Sequence, residues 1–101
     1  MTLGSVIKSL RRSAGFSQKR FAAEVRISPS YLSLVEADKR ESTIPLLRRM
    51  ATILGAPATV LFAAALGGQL AEEGRIEEVR VIEKLLEAVR MNILQESLPL
   101  Q

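Results

Sequence analysis

The 101-residue chain contains no cysteine, no histidine and no tryptophan. The absence of cysteine excludes disulfides, thiolate metal sites and thiol nucleophiles, and the absence of histidine removes the commonest metal ligand and general base. The carboxylates form no pair with an evident catalytic spacing, and no glycine-rich phosphate loop is present. These absences predict a protein that is not an enzyme and that needs neither a metal nor another cofactor.

Charge is distributed unevenly along the chain, although the net charge is only +3. Residues 1–56 carry ten basic and four acidic side chains, a balance of +6, whereas residues 57–101 carry four basic and seven acidic side chains, a balance of −3. A basic segment favours contact with a polyanion, and an acidic segment indicates a different partner. The sequence therefore predicts two surfaces with different tasks.

An uncharged run from residue 50 to residue 71 is long enough to cross a bilayer. Gly55, Pro57 and the Gly67-Gly68 pair interrupt it, and alanine rather than leucine or isoleucine predominates. We therefore interpret the run as two buried helices with a turn at Gly55, and we expect no association with a membrane. Basic residues interrupt the first apolar stretch of the chain, so no secretion signal is expected.

Apolar residues recur at helical spacing along the chain, and strand-like alternation is not found. Ser17 and Ser28 are preferred helix N-cap residues, and Pro29 suits the first position of a helix. Only Arg26 and Ile27 separate the second helix from the third, which predicts a tight helix-turn-helix corner. The fold class is therefore all-α. The first five predicted helices cover about residues 3–14, 17–25, 28–36, 43–54 and 57–66.

The run SQKRFAAEVRISPSYLSLVE at residues 17–36 resembles the helix-turn-helix of the phage-repressor-like, or XRE-type, transcription regulators. The segments LRRSAGFSQ at 10–18 and LLRRMATILGAP at 46–57 are similar to that family's first and fourth helices. The resemblance covers about residues 3–66. It implies a five-helix lambda-repressor-like DNA-binding domain over residues 1–66, in which the helix starting at Ser28 contacts DNA.

Packing and backbone conformation also explain why several residue types occur at their positions in the motif. Ala22 lies where the two helices would approach most closely, so a small side chain is required there. Ile27 and Val35 are placed to fill the space beneath the corner. Arg26 occupies a turn position where the family often has glycine, and a left-handed backbone would cost about 1 kcal/mol in a residue with a Cβ atom.

The resemblance also implies a set of DNA-contacting residues, and readout by the recognition helix would depend on serine hydroxyls, apolar contacts and DNA shape. Gln18 is expected to bind a phosphate or to brace the recognition helix. Tyr31 is expected to contact DNA or to pack, and Leu34 to face DNA or to shield the core. Arg11 and Glu36 are expected to form an internal salt bridge. The predicted DNA-binding residues are Gln18, Lys19, Arg20, Pro29, Ser30, Tyr31, Ser33, Leu34, Lys39 and Arg40.

A further amphipathic helix is predicted within residues 75–101, after a linker at residues 67–74. Its apolar residues alternate at spacings of three and four, which is the pattern of a heptad seam. We expect this seam to form a dimer, because a two-fold protein matches a near-palindromic operator. The alternatives are a helix that folds back on its own domain and a helix that binds an antagonist protein. The predicted dimerisation residues are Ile76, Val79, Ile82, Leu86, Val89 and Ile93.

Together with the resemblance, these features imply a dimeric repressor in the cytoplasm, associated with the nucleoid, that binds double-stranded DNA at a near-palindromic operator. The alternative is an antitoxin or adaptor whose C-terminal helix binds a toxin or another protein, with DNA binding serving autoregulation. Lys8, Arg48 and Arg49 are expected to be solvated surface residues rather than DNA contacts.

Overall fold

The structure is a computed structural model that describes residues 2–97, and it describes the side chains of residues 2–91. Within residues 2–97 it contains six helices and no strand, which confirms the all-α prediction. The helices are α1 (Leu3–Ser13), α2 (Gln18–Glu24), α3 (Pro29–Glu36), α4 (Ile44–Leu54), α5 (Ala58–Glu72) and α6 (Ile76–Ser97).

Local sequence signals determine where the first four helices begin. The side chains of Thr2, Ser17, Ser28 and Thr43 each accept a hydrogen bond from a backbone N–H in the first turn of α1, α2, α3 and α4. These bonds satisfy N–H groups that have no partner within the helix. Gly55 ends α4 in the left-handed conformation, with φ of 67°.

The turn between α2 and α3 passes through the left-handed region at Arg26, where φ is 63°. The Ile27 N–H donates to the Ala22 carbonyl at 2.9 Å across this turn. The corner therefore forms with arginine in a backbone conformation that favours glycine, at a cost of about 1 kcal/mol.

The hydrophobic core lies between α1, α2, α3, α4 and α5, and each of these helices contributes to it. Ala22 is fully buried, as the close approach of α2 and α3 requires, and Ile27 is partly buried against the same core. The core orients α3 so that one of its faces is buried and the other is exposed. The largest fully buried side chains are Ile7, Phe21, Val25, Leu32, Val35, Met50 and Leu61.

The predicted linker at residues 67–74 is helical over most of its length, because α5 continues to Glu72. A Cβ atom at Gly67 would lie 3.1 Å from the Ile82 Cγ2 atom, so glycine allows α6 to approach α5 closely. Only three residues connect the two helices, with Gly74 in the left-handed region at φ of 73°. The prediction of a linker was therefore wrong for residues 67–72, which belong to α5.

The C-terminal helix α6 packs back against α5, which is the fold-back arrangement that the sequence left as an alternative. On its side toward α5, Leu86 is buried and Val79, Ile82 and Val89 are half-buried. The predicted heptad seam is therefore used within the chain. Ile76 is 63% exposed, and the side chain of Ile93 lies outside the described residues.

None of the helices in the described part of the chain is both long enough and apolar enough to span a membrane. The uncharged run at residues 50–71 belongs instead to α4 and α5, whose apolar residues pack into the core.

Candidate nucleic-acid interface

The α3 helix presents a short row of small side chains to the solvent. Pro29, Ser30 and Ser33 are exposed, and Leu34 is 40% exposed. On the opposite side of the helix, Leu32 is completely buried in the core. The four residues that were predicted to face DNA therefore share the outer face of one helix, and no bulky charged side chain lies among them.

A buried ion pair holds α3 against α1. The Arg11 guanidinium donates from Nε to Glu36 Oε2 at 2.7 Å and from Nη2 to Glu36 Oε1 at 3.0 Å. Its Nη1 atom donates to the Phe16 carbonyl at 2.8 Å. The side chains of Arg11 and Glu36 are only 8% and 3% exposed, so solvent screens their attraction weakly. The structure thus brings together the two residues that were predicted to form an internal salt bridge.

Gln18 extends this network to α2. Its Nε2 atom donates to Glu36 Oε1 at 3.1 Å, and the side chain is half-buried. Gln18 was predicted either to bind a phosphate or to brace the recognition helix, and its hydrogen bond to Glu36 corresponds to the second role. The Glu36 carboxylate therefore joins α1, α2 and α3 through hydrogen bonds at a single point.

The loop that follows α3 is attached to that helix through Tyr31. The tyrosine hydroxyl donates to the Glu41 carbonyl at 2.9 Å. The guanidinium carbon of Arg40 lies 5.8 Å from the centre of the Tyr31 ring, within the range of a cation–π contact. Tyr31 is half-buried, which agrees with the packing role that the sequence left open. The two contacts hold the loop close to the exposed face of α3.

Asp38 is a positioning residue that the sequence analysis does not identify. Its Oδ1 atom accepts a hydrogen bond from the Gly4 N–H at 2.9 Å, at the beginning of α1. Its backbone is left-handed, with φ of 60°, and aspartate tolerates this conformation better than most residues do. The N-terminus of α1 is therefore fastened to the loop that carries Lys39 and Arg40.

Four exposed basic side chains lie on the elements directly before and after α3. Lys19 and Arg20 are exposed on α2, and Lys39 and Arg40 are exposed in the loop after α3. Among residues 2–91, none of the four takes part in an ion pair. The Arg20 guanidinium carbon lies 5.3 Å from the centre of the Phe16 ring, which restricts its position. This arrangement provides positive charge for an anionic ligand near a helix that is narrow enough to enter the major groove of DNA.

The family comparison covers the same part of the chain. Residues 7–61 match a family model described as helix-turn-helix. The chain belongs to this helix-turn-helix family. The matched span contains the α2–α3 corner and the recognition helix, and it includes all ten residues that were predicted to contact DNA.

The relatives of this chain are transcriptional regulators. The HTH-type transcriptional regulator RamB of Mycobacterium tuberculosis, found in strains CDC 1551 and H37Rv, is 42% identical over 57 residues. That match covers 56% of this chain but only 12% of RamB, so the chain corresponds to a small part of that relative.

Two solved structures of the clp gene regulator ClgR from Corynebacterium glutamicum are also similar. One is 32% identical with a TM-score of 0.57, and it covers 65% of this chain and 86% of the ClgR chain. The other is 30% identical with a TM-score of 0.59, and it covers 80% of this chain and 86% of the ClgR chain. The family match and the ClgR structures together identify residues 7–61 as a helix-turn-helix domain.

Proposed function

We propose that the protein binds a near-palindromic operator as a dimer and represses transcription, with α3 of each copy in the major groove. The observation that carries this proposal is the exposed outer face of α3, with exposed basic residues on α2 and in the loop that follows α3. Since the proposed ligand is chromosomal DNA, the site of action is the cytoplasm, at the nucleoid.

Sequence readout is assigned to the outer face of α3. The hydroxyls of Ser30 and Ser33 can donate to or accept from base edges, and Leu34 can contact the methyl group of thymine. These short side chains distinguish few base pairs, so DNA shape and a second half-site must supply part of the specificity.

Affinity is assigned to phosphate contacts by Lys19, Arg20, Lys39 and Arg40. Such contacts release counterions from the DNA and do not depend on base sequence. Phosphate contacts from the loop require a fixed loop position, and the hydrogen bonds of Tyr31 and Asp38 hold the loop in place.

The double variant Lys39→Gln/Arg40→Gln tests the assignment of phosphate contacts. We expect it to weaken binding to every duplex alike, and to reduce the slope of log K against log salt by about 2, since each lost contact accounts for about 0.9. Titrations by mobility shift at several salt concentrations measure this slope.

The matched control is Arg48→Gln/Arg49→Gln, which removes the same charge from the exposed side of α4. It should leave the slope nearly unchanged. An equal decrease in both double variants would show that net charge, and not a loop contact, determines affinity.

Substitution of Ser33 by alanine tests the assignment of base contacts. A lost base contact should reduce affinity for the preferred sequence by about 1–3 kcal/mol and leave binding to random DNA almost unchanged. Competition between the preferred site and random duplex measures this difference. Equal losses on both kinds of DNA would count against a base contact by Ser33.

A further inference from the structure

Both arginines to which phosphate contacts are assigned lie over an aromatic ring. The guanidinium carbon of Arg20 is 5.3 Å from the centre of the Phe16 ring, and that of Arg40 is 5.8 Å from the centre of the Tyr31 ring. The chain has only three phenylalanines and one tyrosine, and among residues 2–91 no other ring has a cation over it. The few aromatic side chains are therefore concentrated beneath these two arginines.

The Phe16 ring is held in one position by its backbone and by the core. The Phe16 N–H donates to the Arg11 carbonyl at 3.1 Å, and the Phe16 carbonyl accepts from Arg11 Nη1 at 2.8 Å. The ring is half-buried against the core, and its centre lies 5.7 Å from that of the Phe21 ring at an angle of 45°. Phe16 thus offers Arg20, on the helix that follows, a fixed surface.

The Tyr31 ring is held at both of its ends. It extends from the first turn of α3, packs half-buried against the core, and its hydroxyl donates to the Glu41 carbonyl at 2.9 Å. Glu41 is the neighbour of Arg40 in the sequence, so this bond fixes the backbone beside Arg40 as well as the ring beneath it.

The contact with a ring leaves the donors of each guanidinium for another partner. Within residues 2–91, arginine side chains donate hydrogen bonds only at Arg11 and Arg75. The aromatic face attracts the cation electrostatically and accepts none of its N–H groups. The planar guanidinium can therefore still give a phosphate two parallel hydrogen bonds. Arg20 and Arg40 are both exposed, which such a contact requires.

We propose that Phe16 and Tyr31 are positioning residues for DNA binding, which hold Arg20 and Arg40 in orientations that suit a phosphate contact. The proposal rests on the proposed function, because it concerns the phosphate contacts assigned there to these two arginines. A long side chain loses rotamer freedom when it binds, and a side chain that is already held in position loses less. The two rings therefore raise the affinity for DNA without touching it.

The variants Phe16→Leu and Tyr31→Leu, in the full chain, remove one ring each and keep an apolar side chain against the core. An exposed cation–π contact changes an equilibrium constant by a factor of about 2 to 5. We expect each variant to weaken binding to a duplex with one half-site about threefold, and the double variant about tenfold. The slope of log K against log salt should stay unchanged, whereas Arg20→Gln should lower it by about 0.9. Fluorescence anisotropy at several salt concentrations measures both quantities.

A double-mutant cycle separates positioning from a purely structural role of the ring. If Phe16 acts through Arg20, Phe16→Leu should have no further effect on DNA binding in a chain that carries Arg20→Gln. A ring that only stabilises the fold would cost the same affinity in both backgrounds.

The same cycle applies to Tyr31 and Arg40. The variant Tyr31→Phe keeps the ring and loses only the bond to Glu41, so it should retain the coupling to Arg40 that Tyr31→Leu loses.

The matched control is Phe62→Leu. The Phe62 ring is also half-buried against the core, and no cation lies over it among residues 2–91. This variant should keep the half-site affinity of the wild type. Proton NMR of the free wild type adds a measurement without DNA, since a ring shifts the resonances of protons above its face upfield. We expect such shifts for the side chains of Arg20 and Arg40, and their loss in Phe16→Leu and Tyr31→Leu respectively.

The positioning role is overturned if both cycles are additive, if Phe62→Leu weakens binding as much as Phe16→Leu, or if the free wild type shows no upfield shift at either arginine. Tighter binding by the ring variants would also overturn it, because the rings would then withhold the arginines from DNA. A wild type that binds duplexes while the cycles are additive leaves the proposed function intact. A wild type that binds no duplex at any salt concentration overturns the proposed function, and the positioning role with it.

Discussion

Replacement of Glu36 by glutamine is expected to lower the free energy of unfolding by about 3–5 kcal/mol. The substitution keeps the shape of the side chain but leaves the buried guanidinium of Arg11 without a counter-charge. It also weakens the acceptor for Gln18, so the contacts among α1, α2 and α3 are all affected. Urea denaturation followed by circular dichroism measures the loss, which is large for a domain of this size.

A double variant distinguishes the unpaired charge from the loss of packing. In Arg11→Met/Glu36→Leu both charges are replaced by apolar groups of similar volume, and such replacements in other proteins are often close to neutral. We expect the double variant to be more stable than Glu36→Gln, although the Phe16 carbonyl loses its bond from Arg11. If Glu36→Gln unfolded within about 1 kcal/mol of the wild type, the ion pair would not have the structural role assigned to it.

Replacement of Gly4 by alanine is expected to destabilise the domain by about 3 kcal/mol, at the upper end of the usual range for overpacking. A Cβ atom at this position would lie 2.4 Å from the Glu36 carbonyl oxygen and 2.7 Å from its carbonyl carbon. Both are backbone atoms at the end of α3, so neither can rotate away. Relief would require α1 to move from α3, which would break the bond between Gly4 and Asp38.

The matched control for this prediction is Gly68→Ala. Gly68 lies inside α5, and a Cβ atom there would have no atom within 4 Å. Alanine should therefore stabilise the helix by about 0.5–1 kcal/mol through its better helix propensity. Thermal unfolding of the two variants should give shifts of opposite sign. A stabilising effect of alanine at both positions would contradict the close contact at Gly4.

Much of the fold was predictable because its signals are local. The N-cap serines indicated where α2 and α3 begin, the apolar periodicity indicated where α4 begins, and Gly55 indicated where α4 ends. The continuation of α5 through Gly67 was not predictable in this way. That glycine meets the side chain of Ile82 on another helix, and no local pattern reports such a contact.

The residues of the candidate site also fall into those that the sequence predicted and those that it did not. The outer face of α3 follows from helical periodicity, and the pair formed by Arg11 and Glu36 follows from the family resemblance. The role of Asp38 did not follow, because its partner Gly4 is 34 positions away in the sequence. The signal that could have pointed to Asp38 is a left-handed turn after α3, since aspartate is among the residues that tolerate this backbone conformation. Long-range backbone contacts of this kind required the structure.

The most direct measurement of the central claim is selection of bound duplexes from a random-sequence DNA library by the purified full chain. The account predicts an enriched near-palindromic sequence whose half-sites are centred about 10 base pairs, or one helical turn, apart. It also predicts that Ser33→Ala changes the enriched sequence while Arg48→Gln/Arg49→Gln does not. Recovery of sequences no different from the starting library, at any salt concentration, would contradict the account.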